Sequence, residues 1–516
     1  MGARIRHLTS AVGLTALTLT GLVAHPPGAA AATCQLDIPV VGDVDGDGLS
    51  DLVVGVPGRN GAIGAVDLRV TTAPSRILTR SAAGLGAGVR NDRFGSSVTL
   101  GDVDADGCAD IISGAPGAAR SGRAYLVLGA PTGFAASGGR VLDGGSAAGD
   151  GFGSAVALSR NLAADGLDLW VGAPRDDVGT ARDAGSVSHY AIHPGPNPTV
   201  DFLGKVTENT AGVPGVAETG DHFGAVLSAN RFGVLVGEPD EDVGARRDAG
   251  SATWLLTGAG PAGIGRALAW SQATPGVPGS AEAGDRFGAA VSSLGGDAIV
   301  GIPREDLGAA TDAGMVQLFR SAQPGDVRPA VALGQDSPGI PGRAETGDRF
   351  GASVVLGRNM ACFDEDTVDA AVGAPTEDVS VNGRRVADAG VVTVLTARDR
   401  AGGPAPCPAR TVDQNAVLSD RPEPGDRVGA SLALGRHRDD AEPDVASDRA
   451  FVGVPAEDVG AQGVDAGVVQ STQQRSNGAD ATAIVVARRN RFAVGHSGGT
   501  VARLHYGSVI ASPAGE

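Results

Sequence analysis

Two nine-residue stretches place four aspartates at one spacing: Asp43-Val-Asp45-Gly-Asp47-Gly-Leu49-Ser-Asp51 and Asp102-Val-Asp104-Ala-Asp106-Gly-Cys108-Ala-Asp110. Carboxylates at positions one, three, five and nine, with the backbone carbonyl of Leu49 or Cys108 at position seven, can surround one hard cation with oxygen. Gly48 and Gly107 permit the sharp turn this requires, and the all-oxygen ligand set points to calcium. An EF-hand needs a bidentate Glu at position twelve, where this chain has Val54 and Ser113. The alternative is a solvated acidic turn, which does not account for the same four positions recurring in two places. Two Ca2+ sites are therefore expected.

The rest of the potentially reactive inventory is weaker. Gly495-His496-Ser497-Gly498-Gly499 fits the GxSxG pattern of a nucleophile elbow, but only His505 follows it and no helical pattern does, so a turn is expected. No HExxH is present, and His189 and His193 fall in a strand-and-loop region where a spacing of four does not gather ligands; both read as surface residues. The acid pairs Glu241-Asp242, Glu305-Asp306, Glu377-Asp378 and Glu457-Asp458 read as turn caps accepting backbone N–H bonds, with secondary cation sites as the other reading. No catalytic residue is assigned, and the chain is not expected to be an enzyme.

The elements that position the aspartates follow from an internal repeat. Val54-Gly-Val-Pro57 returns as Ser113-Gly-Ala-Pro116, Val171-Gly-Ala-Pro174, Val236-Gly-Glu-Pro239, Val300-Gly-Ile-Pro303, Val372-Gly-Ala-Pro375 and Val452-Gly-Val-Pro455. Asp-x-Phe-Gly precedes it at Asp92, Asp150, Asp221, Asp285 and Asp348, with Asp426-Arg-Val-Gly429 as a variant, and Asp-Ala-Gly follows at Asp183, Asp248, Asp312, Asp388 and Asp465. Between these landmarks the chain reads as short strands, such as 97–100, 110–113 and 124–128, and helical periodicity over ten or more residues is hard to find there. Units of about 60 residues with three or four strands each match the blades of a β-propeller.

These landmarks resemble the FG-GAP repeat of the integrin α-subunit propeller, with Phe94-Gly95 and Gly114-Ala115-Pro116 as the namesake motif. The resemblance implies an all-β, seven-bladed propeller over 33–516, with approximate repeats at 34–90, 91–149, 150–219, 220–283, 284–346, 347–424 and 425–480. Residues 481–516 resemble an eroded eighth unit or a closing segment, and eight blades is the alternative.

Arg4 and Arg6, the apolar run from Ala11 to Ala24 and the small residues Gly28 to Ala32 read as a secretory signal over 1–32. The run is shorter than the ~20 residues a membrane span needs, so export without membrane insertion is expected. In an oxidising compartment Cys34, Cys108, Cys362 and Cys407 suggest two disulfides; three pairings are possible, and sequence proximity favours Cys34 with Cys108 and Cys362 with Cys407. A formal charge of −18 makes nucleic acid and anionic membranes poor partners. The resemblance implies an extracellular protein or matrix ligand and a role in adhesion. A lectin-like glycan-binding propeller is the alternative, although aromatic residues are only 3% and Trp170, Trp254 and Trp270 are the only tryptophans. An exported hydrolase is the more distant third reading.

Overall fold

The computed structural model describes residue 34, residues 42–48, and 50–454 apart from 70–75, 162–164, 322–326, 359, 362–367, 399–407, 415–420 and 439–445. It also describes 468–471, 509–510 and 512–513. The signal segment 1–32, Leu49, Cys362, Cys407, Glu457-Asp458 and the Gly495–Gly499 motif lie outside the described residues.

The architecture is an all-β propeller in which, among the described residues, helix is confined to single turns at Arg59–Ala62 and Pro261–Gly263. The second blade shows the pattern. Strands Ser97–Gly101, Asp110–Ala115, Arg123–Val127 and Arg140–Leu142 run antiparallel in chain order. The third to sixth blades repeat it, beginning at Ala155–Asn161, Val226–Asn230, Ala290–Leu294 and Ser353–Gly357. Among the described residues, and counting the first blade, six sheets have four or five strands; a further sheet shows three, Ser431–Arg438, Ala446–Val454 and Val468–Ser471.

The first strands of successive sheets touch one another in chain order from 97–101 to 431–438. The last of them contacts the C-terminal strands, which return to the first two sheets. Val509–Ile510 pairs antiparallel with Val54 and Gly55, on the edge that carries the Asp-x-Phe-Gly strand in other blades. Ser512–Pro513 runs parallel to Thr99 and Leu100. The described part of the C-terminal segment thus closes against the beginning of the chain.

Both faces of each sheet are covered, so strands read as nearly continuous apolar runs, and side-chain alternation divides them between two junctions. Ile111 packs with Val53, Val66, Leu68, Phe94 and Tyr125 between the first two blades, whereas Ile112 packs with Phe152, Leu169 and Val171 between the second and third. The repeat landmarks lock these junctions. Phe94, Phe152, Phe223, Phe287 and Phe350 are all fully buried, as is Val428 in the variant motif. The glycine ending Asp-Ala-Gly bridges the next blade's aromatic, as in Gly185 to Phe223 and Gly250 to Phe287. A Cβ at Gly250 would overlap the carbonyl oxygen of Phe287, and this close approach of two backbones requires glycine.

Candidate metal centre

Each acidic loop lies between the first strand position and the Gly-x-Pro strand, and its aspartates fold inward because loop N–H groups have no ladder partner there. Asp43 accepts from the N–H groups of Gly46 at 2.6 Å, Gly48 at 2.8 Å and Asp47 at 3.2 Å. Asp51 Oδ2 accepts from Val44 at 2.8 Å and Asp45 at 3.3 Å. The second loop repeats the scheme: Asp102 accepts from Asp106 and Gly107, at 3.2 and 3.1 Å, and Asp110 from Val103 at 2.6 Å. Gly48 and Gly107 have φ of 90° and 92°, the left-handed turn expected of them.

One ligand oxygen from each of Asp43, Asp45 and Asp51 lies within 4.8 Å of the other two, and Asp102, Asp104 and Asp110 form a matching group. The fifth-position acids are not part of these triads. Asp47 donates its N–H to Asp43 and Asp45, and Asp106 Oδ1 accepts from Cys108 at 2.8 Å. Position seven of the first loop, Leu49, is outside the described residues.

Burial and mutual repulsion raise these carboxyls. Burial first, then the Asp47 charge, pushes Asp45 up to about 6, and burial pushes Asp51 up to about 8 despite the Val44 hydrogen bond. Asp104 is pushed up to about 6 by burial and by Asp106 and Asp102, while burial holds Asp110 well above the ordinary range. Among the described residues no ion pair reaches either triad. Asp51 Oδ1 is buried without a hydrogen-bond partner. Such a group of acids is costly to bury unless a cation or proton joins it.

The degenerate repeats supply an internal control. Asp168 occupies position nine in the third blade, whose loop otherwise keeps only Asp165 of the acids. Its Oδ1 is met by His189 Nε2 and by Asn161 Nδ2, each at 3.0 Å. His189 also bonds the Ala262 carbonyl through Nδ1 and stacks on Trp170 at a ring separation of 3.6 Å. The expectation of a surface position for His189 is therefore wrong: it is 1% exposed, because a buried aspartate without loop partners takes an imidazole instead. His193 is exposed, as expected. In the third blade, where an imidazole and an amide accompany position nine, the four-aspartate pattern is lost. The residues of the first two loops fit a hard cation, which would supply the missing positive charge.

The two loops are physically joined. A disulfide links Cys34 to Cys108, with Cα atoms 5.1 Å apart, and so ties position seven of the second loop to residue 34. A Cβ at Gly46 would come within 2.7 Å of the Cys34 Cα, so residue 34 packs directly on the first loop. The Asp43 carbonyl accepts from Ala109 N–H at 2.6 Å and the Val44 carbonyl from Ala130 N–H at 3.2 Å. The two Asp groups form one cross-linked unit.

The recurring acid pairs divide in role. The second acid caps its turn: Asp242, Asp306 and Asp378 accept from the N–H groups of Asp248, Asp312 and Asp388 at 2.9 to 3.0 Å. The first acid points into the junction with the preceding blade. There Gln272 Nε2 donates to Glu305 and Gln335 Nε2 to Glu377, both at 2.6 Å. The arginine of Asp-Arg-Phe-Gly does not pair with this acid in the fourth blade; Arg286 reaches Asp240, the residue before it, at 3.2 Å.

A β-propeller with paired aspartate loops in its first two blades is thus the class defined by fold and site. The FG-GAP repeat family model matches residues 38–68 and 94–127, the two segments that carry the acidic loops. The chain carries FG-GAP repeats in a propeller, an arrangement consistent with the integrin-like propeller. Among solved structures it is similar to a protein named as a 6-phosphogluconolactonase from Bacteroides uniformis, at 8% identity and TM-score 0.45, over 86% of this chain and 96% of that one. It is also similar to apo AztD from Citrobacter koseri, at 11% identity and TM-score 0.33, with the same coverage. At these values neither likeness carries a functional argument.

Proposed function

We propose that the chain is an exported, calcium-binding propeller of seven blades that recognises a protein ligand outside the cell, without catalysing a reaction. The observation that carries the calcium reading is the contrast at position nine: Asp51 and Asp110 sit in triads that no ion pair reaches among the described residues, whereas Asp168 is partnered by His189 and Asn161. Calcium at both loops would neutralise the triads and hold the loops rigid against the Cys34–Cys108 cross-link. Residue 34 and the loops lie at the chain's entry into the ring, so this rigidity serves the start of the fold rather than a reaction.

Protein recognition is favoured over glycan recognition by the placement of the aromatics. Trp170, Trp254 and Trp270 are 0%, 1% and 7% exposed, which leaves none of them as an open stacking platform. Loops at the ends of a propeller are free to carry a recognition surface because the strands alone hold the ring.

Two measurements test the reading. Chelation should lower the Tm of the full chain, and restored calcium at one hundred times Kd should return about 2.7 kcal/mol per site; an unchanged melting curve overturns calcium binding. A pull-down from extracellular matrix or surface extracts, with and without calcium, should recover a protein partner in the calcium arm. Recovery of glycan alone on an array would replace adhesion with a lectin function.

A further inference from the structure

The junctions between blades carry one equivalent position each, two residues beyond the outermost strand. After Ile264–Trp270 it is Gln272, and after Val327–Leu333 it is Gln335. Each amide donates to the first acid of the next blade's acid pair, Glu305 or Glu377. Each lies under a glycine turn, at Gly279 and Gly342. These are neutral donors matched to buried carboxylates.

At the junction of the third and fourth blades the same position, two residues beyond Thr199–Val206, is Glu208. It lies under the equivalent Gly215 turn and faces the equivalent acid, Glu241. A donor has become a second carboxylate. One ligand oxygen from each of Glu208, Asp221 and Glu241 lies within 4.8 Å of the other two. A further departure occurs at the same junction: the variable residue of Val-Gly-x-Pro, apolar in every other repeat, is Glu238.

Glu208 is 3% exposed, Asp221 1% and Glu238 0%. Glu208 Oε2 and Glu238 Oε1 are buried without a hydrogen-bond partner, although Ser251 Oγ donates to Glu238 Oε2 at 2.8 Å. Nearby bases are engaged elsewhere, since His222 and Arg286 both pair with Asp240. Among the described residues no ion pair reaches the four acids. Burial, and then the charge of Glu238, raises both Glu208 and Glu241 far above the ordinary carboxylate range. Carboxyls crowded at this depth must take up either protons or a cation, and an all-oxygen ligand set selects a hard divalent ion over zinc or copper.

We infer that Glu208, Asp221 and Glu241 hold a third divalent cation of the calcium class, which pins the third blade to the fourth in place of the glutamine clamps at the next two junctions. Glu238 stands behind these ligands as additional negative charge. The site is independent of the two aspartate loops in sequence and in position.

The test uses the full chain after equilibrium dialysis against calcium, with bound calcium counted by atomic emission. E208Q restores the glutamine of the sister junctions, so it should fold, bind one calcium fewer than the wild type, and melt in chelator no lower than the wild type. E241Q should lose the same ion and serves if E208Q does not fold. D104N, in the second loop, should lose a different ion. Equal calcium content in the wild type, E208Q and E241Q overturns the third site and means that the cluster is held by shared protons. A loss in D104N alone leaves the aspartate loops standing, and a loss in E208Q alone leaves only this site.

Discussion

The acidic side chains of this protein differ in what neutralises them, and that difference decides their chemistry. Asp168 has His189 and Asn161, Glu305 has the Gln272 amide, and the loop triads have only one another and backbone N–H groups. Glu305 illustrates the consequence for stability. Burial pushes it up to about 7, against the lowering effect of the Gln272 hydrogen bond. The folded chain therefore binds this proton more readily than the unfolded chain. The stability it contributes is fully present below the unfolded carboxylate range and is lost as pH rises through about 7. Replacing Glu305 by Gln should reduce the fall in unfolding free energy between about pH 5 and pH 8 by on the order of 2 kcal/mol, read from urea denaturation at each pH. A pH profile identical to the wild type would show that Glu305 stays charged when buried. From sequence, the aspartate loops were legible because four acids share a spacing, and the capping role of Asp242, Asp306 and Asp378 was also legible as a turn reading. The pairing of Glu305 and Glu377 with glutamines about 30 to 40 residues upstream was not, because nothing local in Gln272 or Gln335 marks it as a partner.

At the scale of the element, the strands expected at 97–100, 110–113 and 124–128 are found at Ser97–Gly101, Asp110–Ala115 and Arg123–Val127. Their apolar runs and bounding Gly, Pro and Asp are local signals, so their ends fall within a residue or two. The Cys34–Cys108 link joins the elements around both acidic loops across a sequence separation of 74. Closing a loop of that length in the unfolded chain is worth about 4 kcal/mol. Replacing both cysteines by serine should lower stability by that order and weaken calcium binding at both loops, measured by calorimetric melting and titration. Retained affinity with lowered Tm would separate the cross-link from the metal sites.

For the whole molecule, closure is the property on which the other elements depend. Val509–Ile510 takes the open edge of the first blade and Ser512–Pro513 lies along the second, so the end of the chain shields strand edges that would otherwise be exposed. Deleting residues 509–516 should lower the Tm and open the first blade to limited proteolysis near residues 52–69 before the fourth or fifth blade is cut. Uniform resistance to protease would place closure elsewhere. The described strands of this segment lie along the first two blades.

The sequence by itself determined the repeat, the strand content and the two aspartate loops, because all of these are written in local spacing. Only the tertiary structure decided which residues share a junction. It buried His189 against Asp168, set Gln272 on Glu305, and gathered Glu208, Asp221 and Glu241 from three separate turns. The physical reason is that a blade buries its faces only against its neighbours, so a side chain's electrostatic partner is fixed by packing across the junction rather than by its own repeat.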